Sequence, residues 1–598
     1  MNWKIYILLL LAFCLIINCS QLEEQQQTLP ELSDTYAEKG MDACQSCHQQ
    51  IYSNYLETGM GHSMYLPTRS TIPMPLASKS AVYDSHSDFH YQLFWENDSL
   101  YLLEFRLVKG DTLYQREEKI DYVIGSGKKT RSFLIHRNGY LYETPITWYS
   151  QKGIFDLSPG YENGRNSRFS REISPTCISC HTGEFSYVAD SKNRFTQLSL
   201  GIGCDQCHGP GELHLQMMEG EILADTADWG IINPAHLPTD LQFDICQQCH
   251  LEGVAVLQEN VASERAYIPG MKLAGLMDIF LVEEAHNSTI GIGSHAERLS
   301  QSQCFIQSAG KLVCTTCHDP HKKPDLTDQS VYTSSCMTCH QESMELTCSA
   351  PSEELTLVNN DCIQCHMPVN NTSDIPHVSI HDHLIQIPAP TEKSDQEVAT
   401  ISESIRLICA TTPTPTPTQS AKAWLSYYQE REANPAYLDS VAQYLPQNQL
   451  WEQAQLQFER QQYAPALELL AKLNPSNQNR LDYLYLKGQC LEALARFPEA
   501  YETYQQVYTK YPNSIEAGIK AATTLLKAYP GQQETLTQAR AILQELYAEK
   551  PFDVRILNNL GFVALNQGKR EEARFYLEEA LRYDPDYVLA KQNLGYLR

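Results

Sequence analysis

Seven copies of the pentapeptide Cys-x-x-Cys-His constrain this chain more than any other feature. This motif attaches c-type haem, because its two thiols bind the two vinyl groups on one porphyrin edge while the adjacent imidazole binds the iron. The sequence therefore predicts seven covalent haem c groups. Their attachment residues are Cys44, Cys47 and His48; Cys177, Cys180 and His181; Cys204, Cys207 and His208; Cys246, Cys249 and His250; Cys314, Cys317 and His318; Cys336, Cys339 and His340; and Cys362, Cys365 and His366.

Zinc is the alternative interpretation of the cysteine pairs, because paired Cys-x-x-Cys units also form tetrahedral structural sites. A zinc site does not require a histidine directly after the second cysteine of each pair. Paired zinc units also lie roughly 15–20 residues apart, whereas the gaps between the motifs of this chain vary widely. The pattern therefore favours haem over zinc or redox disulfides.

The N-terminal residues are typical of an export signal. The apolar run from Ile5 to Ile17 is shorter than the roughly 17–25 residues that a membrane span needs, and it suits a signal peptide. Ile16-Ile17-Asn18-Cys19 resembles a bacterial lipoprotein signal, although Asn18 departs from the usual small residue and leaves simple cleavage as the alternative. We expect a signal over residues 1–19, a lipid on Cys19, and an exported, periplasmic or outer-membrane-associated lipoprotein of a Gram-negative bacterium.

The charge of the chain restricts its partners. Its formal net charge is -27 and its pI is near 5.1. Repulsion from phosphate groups argues against binding to nucleic acid or to an anionic membrane surface. The expected partners are redox proteins, with the lipid anchor providing the contact with a membrane.

Motif density and composition divide the chain into domains. Residues 20–410 are predicted to form a mostly α-helical and irregular multihaem cytochrome c domain, in which packed haems supply most of the interior. Alternating aromatic and polar residues predict an antiparallel β-rich insertion over 82–150, with a hairpin at Asn138-Gly139. The Thr-Pro repeats within 411–420 predict an extended linker.

Residues 421–598 contain a repeat with a period near 34 residues. Small residues recur at one position of a first helix and one of a second, with a longer step explained by an insertion around Tyr529-Pro530-Gly531. They are Ala454, Gly488, Ala522, Gly561 and Gly595, and Ala466, Ala500, Ala539 and Ala573. The pattern resembles tetratricopeptide repeats, in which small residues let two helices cross closely. It predicts an all-α solenoid whose concave surface docks a protein.

Each motif supplies one axial ligand, so any second ligand must come from elsewhere. Subtracting the seven motif histidines from the 19 in the chain leaves twelve. His214 follows a Gly-Pro-Gly turn and His321 follows a proline, so each is expected to cap a neighbouring haem. A histidine beside an aspartate, such as His383, is also typical of a solvated surface. The candidate distal ligands are His62, His90, His214, His295, His321, His377 and His383.

Three segments carry a resemblance to a known family. The chain resembles the multihaem cytochromes related to hydroxylamine oxidoreductase and its tetrahaem cytochrome c partner, and within them a subgroup with C-terminal tetratricopeptide repeats. The resemblance implies stacked, mostly bis-histidine haems, electron transfer, and His214, His295 and His321 as distal ligands. The segments are Gly201 to His214, Cys314 to His321, and Ile375 to Leu384.

The leading hypothesis is an exported heptahaem cytochrome c that transfers electrons between redox partners, with the repeats docking one of them. It assigns no catalytic residue. The alternative is a multihaem oxidoreductase that acts on a small nitrogen or sulfur compound at a five-coordinate haem. The spin state of the irons distinguishes the two, because a five-coordinate iron leaves a position for substrate.

Overall fold

The computed structural model describes residues 40–74, 76, 81–220, 229–258, 267–283, 290–323, 329–340, 348, 350–387, 405–474 and 476–597. The expected signal and Cys19 lie outside the described residues. Within these ranges, no helix is both long and apolar enough to cross a membrane.

Two antiparallel sheets form a β-subdomain between the first and second motifs. One has the order β2-β3-β4-β5, and the other has the order β1-β6-β7-β8-β10, with β9 paired to β8. Their apolar faces share one core that includes Tyr91, Leu102 and Phe133. The strands are β1 (Met64–Tyr65), β2 (Val82–Asp84), β3 (Phe89–Glu96), β4 (Ser99–Val108), β5 (Asp111–Lys119), β6 (Tyr122–Ile124), β7 (Thr130–Arg137), β8 (Tyr140–Tyr149), β9 (Ile154–Leu157) and β10 (Arg171–Glu172).

The hairpin predicted at Asn138-Gly139 is confirmed. Arg137 pairs with Tyr140 across the turn, and Asn138 and Gly139 have φ values of 50° and 86°. This left-handed backbone suits asparagine and glycine. The sheets extend beyond the predicted bounds of 82–150, since β1 and β10 lie outside them. The sequence did not predict these two strands because they have two residues each and are too short to show an alternating pattern.

Short helices follow the motifs, as the sequence predicts. Cys-x-x-Cys-His spans little more than one helical turn, and the fifth motif begins in a 3-10 turn at Cys314–Thr316. The helices are α1 (Asp42–Gln45), α2 (Gln49–Leu56), α3 (Pro175–Ile178), α4 (Asp205–His208), α5 (Glu212–Met218), α6 (Thr239–His250), α7 (His295–Gln301), α8 (Gln303–Gln307), α9 (Gln329–Met337), α10 (Ser352–Leu357) and α11 (Cys362–His366).

Small antiparallel sheets lie among these helices. One pairs β11 with β12, a second has the order β13-β14-β17, and a third pairs β15 with β16. The strands are β11 (Phe185–Tyr187), β12 (Phe195–Leu198), β13 (Ala255–Gln258), β14 (Met277–Val282), β15 (Val369–Asn371), β16 (Ser379–His381) and β17 (Leu407–Cys409).

The C-terminal region is an array of helix pairs. Four helix pairs carry the predicted small residues at both positions, a last helix carries Gly595, and α12 and α13 form one further pair before them. The helices are α12 (Pro417–Glu430), α13 (Pro435–Tyr444), α14 (Leu450–Glu459), α15 (Tyr463–Leu470), α16 (Leu481–Ala493), α17 (Phe497–Lys510), α18 (Ile515–Ala528), α19 (Gln533–Glu549), α20 (Val554–Asn566), α21 (Arg570–Tyr583) and α22 (Val588–Gly595).

The small residues of the repeat pattern lie where paired helices cross. Ala500 and Ala573 are fully buried. A Cβ atom on Gly488 would lie 2.6 Å from Tyr504, and one on Gly561 would lie 2.6 Å from Leu577. Larger side chains would push the helices apart, so the period of small residues reports helix pairing.

Turns of the repeat array pack against the β-subdomain, although the repeats were expected to be separated from the rest of the chain by a linker. The Phe552 ring makes edge contacts with Tyr140 and Tyr142. The Arg168 guanidinium bonds both Glu104 of β4 and Asp584, which follows α21. These contacts use the turns between repeats.

The predicted linker over 411–420 is tied to the haem-motif region at its start and is helical at its end. The backbone N–H of Ile279 in β14 donates to the Thr411 hydroxyl at 3.1 Å, and the Thr412 hydroxyl donates to Asp278. Helix α12 then begins at Pro417, because Thr416 and Gln419 form a capping box and proline suits the first helical position.

Candidate haem-binding site

The fold brings cysteines of different motifs into contact. The hydrogen bond with Cys204 lowers the pKa of the Cys44 thiol to about 7. Such contacts link the first motif with the third, the second with the fourth, the fourth with the fifth, and the sixth with the seventh. The thiol pairs are Cys44 and Cys204, Cys180 and Cys249, Cys246 and Cys314, and Cys336 and Cys362. The motifs thus lie side by side although the chain separates them.

A glycine junction holds the first three motifs together. The Gly183 N–H donates to the Gly201 carbonyl at 2.6 Å. A Cβ atom on Gly183 would lie 2.6 Å from the backbone nitrogen of Gly203, and one on Gly201 would overlap the Gly61 carbonyl. Gly201 also has φ +70°, a conformation that glycine adopts without steric cost. Only glycine lets the three segments approach this closely.

Four motif histidines face a histidine from another segment. His214 follows the third motif, yet its ring lies beside that of the first motif. The distances between ring centres are 6.4 Å for His48 and His214, 5.9 Å for His208 and His321, 5.5 Å for His250 and His295, and 6.2 Å for His318 and His383. Metal–imidazole bonds are about 2 Å long, so two rings that share one iron stand roughly 6 Å apart. These spacings fit two rings on opposite sides of one haem.

Backbone carbonyls orient several of the motif histidines and candidate ligands. A carbonyl oxygen only accepts, so Nδ1 must be the donor, and Nε2 keeps the lone pair that a metal needs. The bonds join His208 Nδ1 to the Ile232 carbonyl at 2.9 Å, His214 Nδ1 to Trp229 at 2.8 Å, His366 Nδ1 to Gln386 at 2.9 Å, and His383 Nδ1 to His381 at 3.1 Å. This donor chemistry also fits haem iron.

Burial keeps the inner imidazoles neutral. Burial lowers the pKa of His181 to about 4. Burial, together with a smaller effect of nearby histidines, lowers the pKa of His295 to about 3. Burial likewise lowers the pKa of His383 to about 4. A neutral imidazole is the form that binds metal. These three residues can therefore act as ligands at neutral pH.

The remaining candidate ligands lie in different surroundings. His62 stacks on Tyr65, and the adjacent Ser63 hydroxyl donates to the His181 carbonyl at 2.7 Å. His90 lies in strand β3, between the rings of Tyr83 and Phe105.

His377 is part of a contact with the β-subdomain. Its Nε2 bonds the Asp156 carboxylate at 2.8 Å, and its ring meets Tyr149 edge-on. The nitrogen that usually binds iron is therefore engaged. Within the part of the chain that the structure describes, neither His90 nor His377 has ring contact with a motif histidine.

His381 is a residue that the sequence does not single out. Its Nδ1 bonds the Met367 carbonyl at 2.9 Å, as in the paired histidines, although its ring is exposed. The sequence contains no signal for this orientation, because the acceptor is a backbone carbonyl placed by the pairing of β15 with β16.

Haem-attachment motifs beside paired imidazoles, followed by helical repeats, are the features of a c-type cytochrome with a C-terminal repeat domain. Residues 160–209, which hold the second and third motifs, match the family model Cytochrome c554 and c-prime. Residues 482–514 and 554–587 each match a tetratricopeptide repeat model. The matches support a cytochrome c that binds haem covalently and carries protein-interaction repeats.

Solved structures resemble this chain over part of its length. MamA (residues 41 to the end) from Desulfovibrio magneticus RS-1 is 23% identical, with a TM-score of 0.23, over 25% of this chain and 81% of that one. YrrB, described as a TPR protein with an unusual peptide-binding site, is 19% identical, with a TM-score of 0.24, over 30% and 90%. No curated protein sequence matches the chain significantly.

Proposed function

We propose that this chain is an exported c-type cytochrome that carries seven covalent haems and transfers electrons between redox partners. The observation that carries the proposal is the pairing of four motif histidines with histidines from other segments at 5.5–6.4 Å. When bound, haem c supplies an iron that accepts and releases one electron at a time.

In this proposal the protein supplies thioether cysteines and pairs of axial imidazoles. Because His214 and His321 complete sites begun by earlier motifs, each of these sites forms only when distant segments have folded together. His62 is the proposed partner of His181, since Ser63 is bonded to the motif backbone. His377 is not in the proposed ligand set, because its Nε2 is bonded to Asp156.

The repeats offer a surface for a partner protein. A cleft of about 310 Å³ lies between α12, α14 and α16, lined by aromatic, amide and acidic side chains that include Trp451, Phe458, Tyr485, Glu459 and Asp482. The β-subdomain contacts the turns between later repeats and leaves this cleft open. We therefore place docking of a redox partner at the cleft.

Export and anchoring belong to the same proposal. A lipid on Cys19 would hold the protein at a membrane of the cell envelope while its haems remain outside the cytoplasm. The support is the short apolar run that ends before Cys19.

The test measures haem load and spin state on the full chain, produced in a host that matures c-type cytochromes. Intact mass should show seven haems, and electron paramagnetic resonance should show low-spin iron. His214→Ala should convert one iron per chain to high spin without loss of covalent haem. The exposed His236 supplies the control, because His236→Ala should leave the spectrum unchanged.

A mass that matches five or fewer haems would contradict the use of every motif. An unchanged spectrum for His214→Ala would remove that residue from the ligand set. A high-spin iron in the parent that binds a small nitrogen or sulfur compound would favour the oxidoreductase alternative.

A further inference from the structure

A buried ion pair lies beside two of the proposed distal ligands. Arg298 Nε donates to Asp382 Oδ1 at 2.9 Å, and Nη2 donates to Oδ2 at 2.6 Å. The two side chains are 5% and 2% exposed. This bidentate geometry is the strongest that arginine makes with a carboxylate, and it fixes the relative orientation of both groups.

Each residue of the ion pair lies close in sequence to one of the two ligands. Arg298 lies three residues after His295 on α7, a spacing that puts both side chains on one face of the helix. Asp382 immediately precedes His383, and its Oδ1 also accepts from the Leu384 N–H at 2.9 Å. The carboxylate therefore ties Asp382 to the backbone directly after His383.

The two ligands touch each other. The ring centres of His295 and His383 lie 4.7 Å apart, and each ring also faces a motif histidine, His250 or His318. The ion pair thus links α7 to the chain after β16, at the point where four imidazoles form a row.

We propose that Arg298 and Asp382 are a positioning pair, which holds His295 and His383 in the orientation that lets them complete the fourth and fifth haem sites. The inference rests on the proposed function, because it needs both histidines to be axial ligands. Neither Arg298 nor Asp382 is proposed as an iron ligand. Their effect is to keep two distal imidazoles in place at once.

The experiment uses the full chain with its haems attached. His295→Ala and His383→Ala, made first, should each convert one iron per chain from low to high spin. Asp382→Asn should then convert one or two irons per chain from low to high spin, while intact mass shows the same number of haems as in the parent. Added imidazole should return them to low spin, because it fills an opened axial position. Glu283→Gln, which alters the exposed pair of Arg406 and Glu283, should behave as the parent.

The outcomes separate the two levels of the proposal. If both alanine variants remain low spin, the ligand assignment fails and the positioning role fails with it. If they change but Asp382→Asn keeps the parent spectrum, only the positioning role is overturned. If Asp382→Asn does not carry a full haem load, Arg298→Gln with Asp382→Asn decides, because the double variant leaves no unpaired buried charge. High-spin iron in that variant supports the pair, and a parent spectrum refutes it.

Discussion

Replacing Arg168 by methionine tests how the β-subdomain and the repeats hold together. The guanidinium donates to Glu104 at 2.9 Å, to Asp584 at 3.0 Å and to the Tyr114 hydroxyl at 3.0 Å. The Glu104 side chain is fully buried. Methionine keeps much of the side-chain volume but leaves the Glu104 carboxylate without its cation.

The expected cost follows from this burial. Breaking a buried ion pair by removing one partner costs about 3–5 kcal/mol, because the remaining charge is uncompensated. Each 1.4 kcal/mol is about a tenfold change in an equilibrium constant. Local opening of β3, β4 and β5 should therefore become about a hundredfold or more favourable, and their amides should exchange with solvent faster by that factor.

Hydrogen–deuterium exchange of the full chain at neutral pH measures this change. Arg574→Met is the control, because Arg574 and Glu578 of α21 form an exposed pair at 3.9 Å whose loss should alter exchange in β3 to β5 by less than about threefold. Adding Glu104→Leu to Arg168→Met should recover much of the protection, since the fully buried carboxylate is removed and only the partly exposed Asp584 loses its partner. Exchange in β3 to β5 that stays within threefold of the parent would refute the reasoning.

Three further predictions concern the repeats and the anchor. Gly561→Ala should destabilise the repeats by about 1–3 kcal/mol in thermal unfolding, whereas Gly595→Ala, with no atom within 4 Å of the new Cβ, should be neutral or stabilising. The hydrogen bond with Arg106 lowers the pKa of Asp586 from its ordinary 3.8 to about 2. This contact therefore stabilises the fold above pH 3.8, and the stabilisation is lost as the pH falls towards 2. Asp586→Asn should remove this pH dependence from the amide protection of residues 583–588. Cys19→Ser should move the protein from the membrane fraction to the soluble fraction, and a variant that stays membrane-bound would contradict lipidation.

The sequence alone determined the features that depend on neighbouring residues. Cys-x-x-Cys-His specifies its chemistry within five residues, and Asn138-Gly139 specifies a hairpin because both residues tolerate positive φ. The repeats can likewise be predicted from the sequence, since small residues at a fixed period are needed wherever two helices cross. In each case the physical cause acts over a few residues or recurs at constant spacing.

The tertiary structure alone decided which distant residues meet. His48 faces His214, and Arg298 meets Asp382, because the chain path brings these segments together, and no local pattern encodes that path. The same holds for Arg168, which links the β-subdomain to the repeats. The Thr-Pro stretch had predicted that the repeats are separate from the rest of the chain. Long-range contacts depend on how whole elements pack, so composition and spacing identified the candidate ligands but left their pairing to the fold.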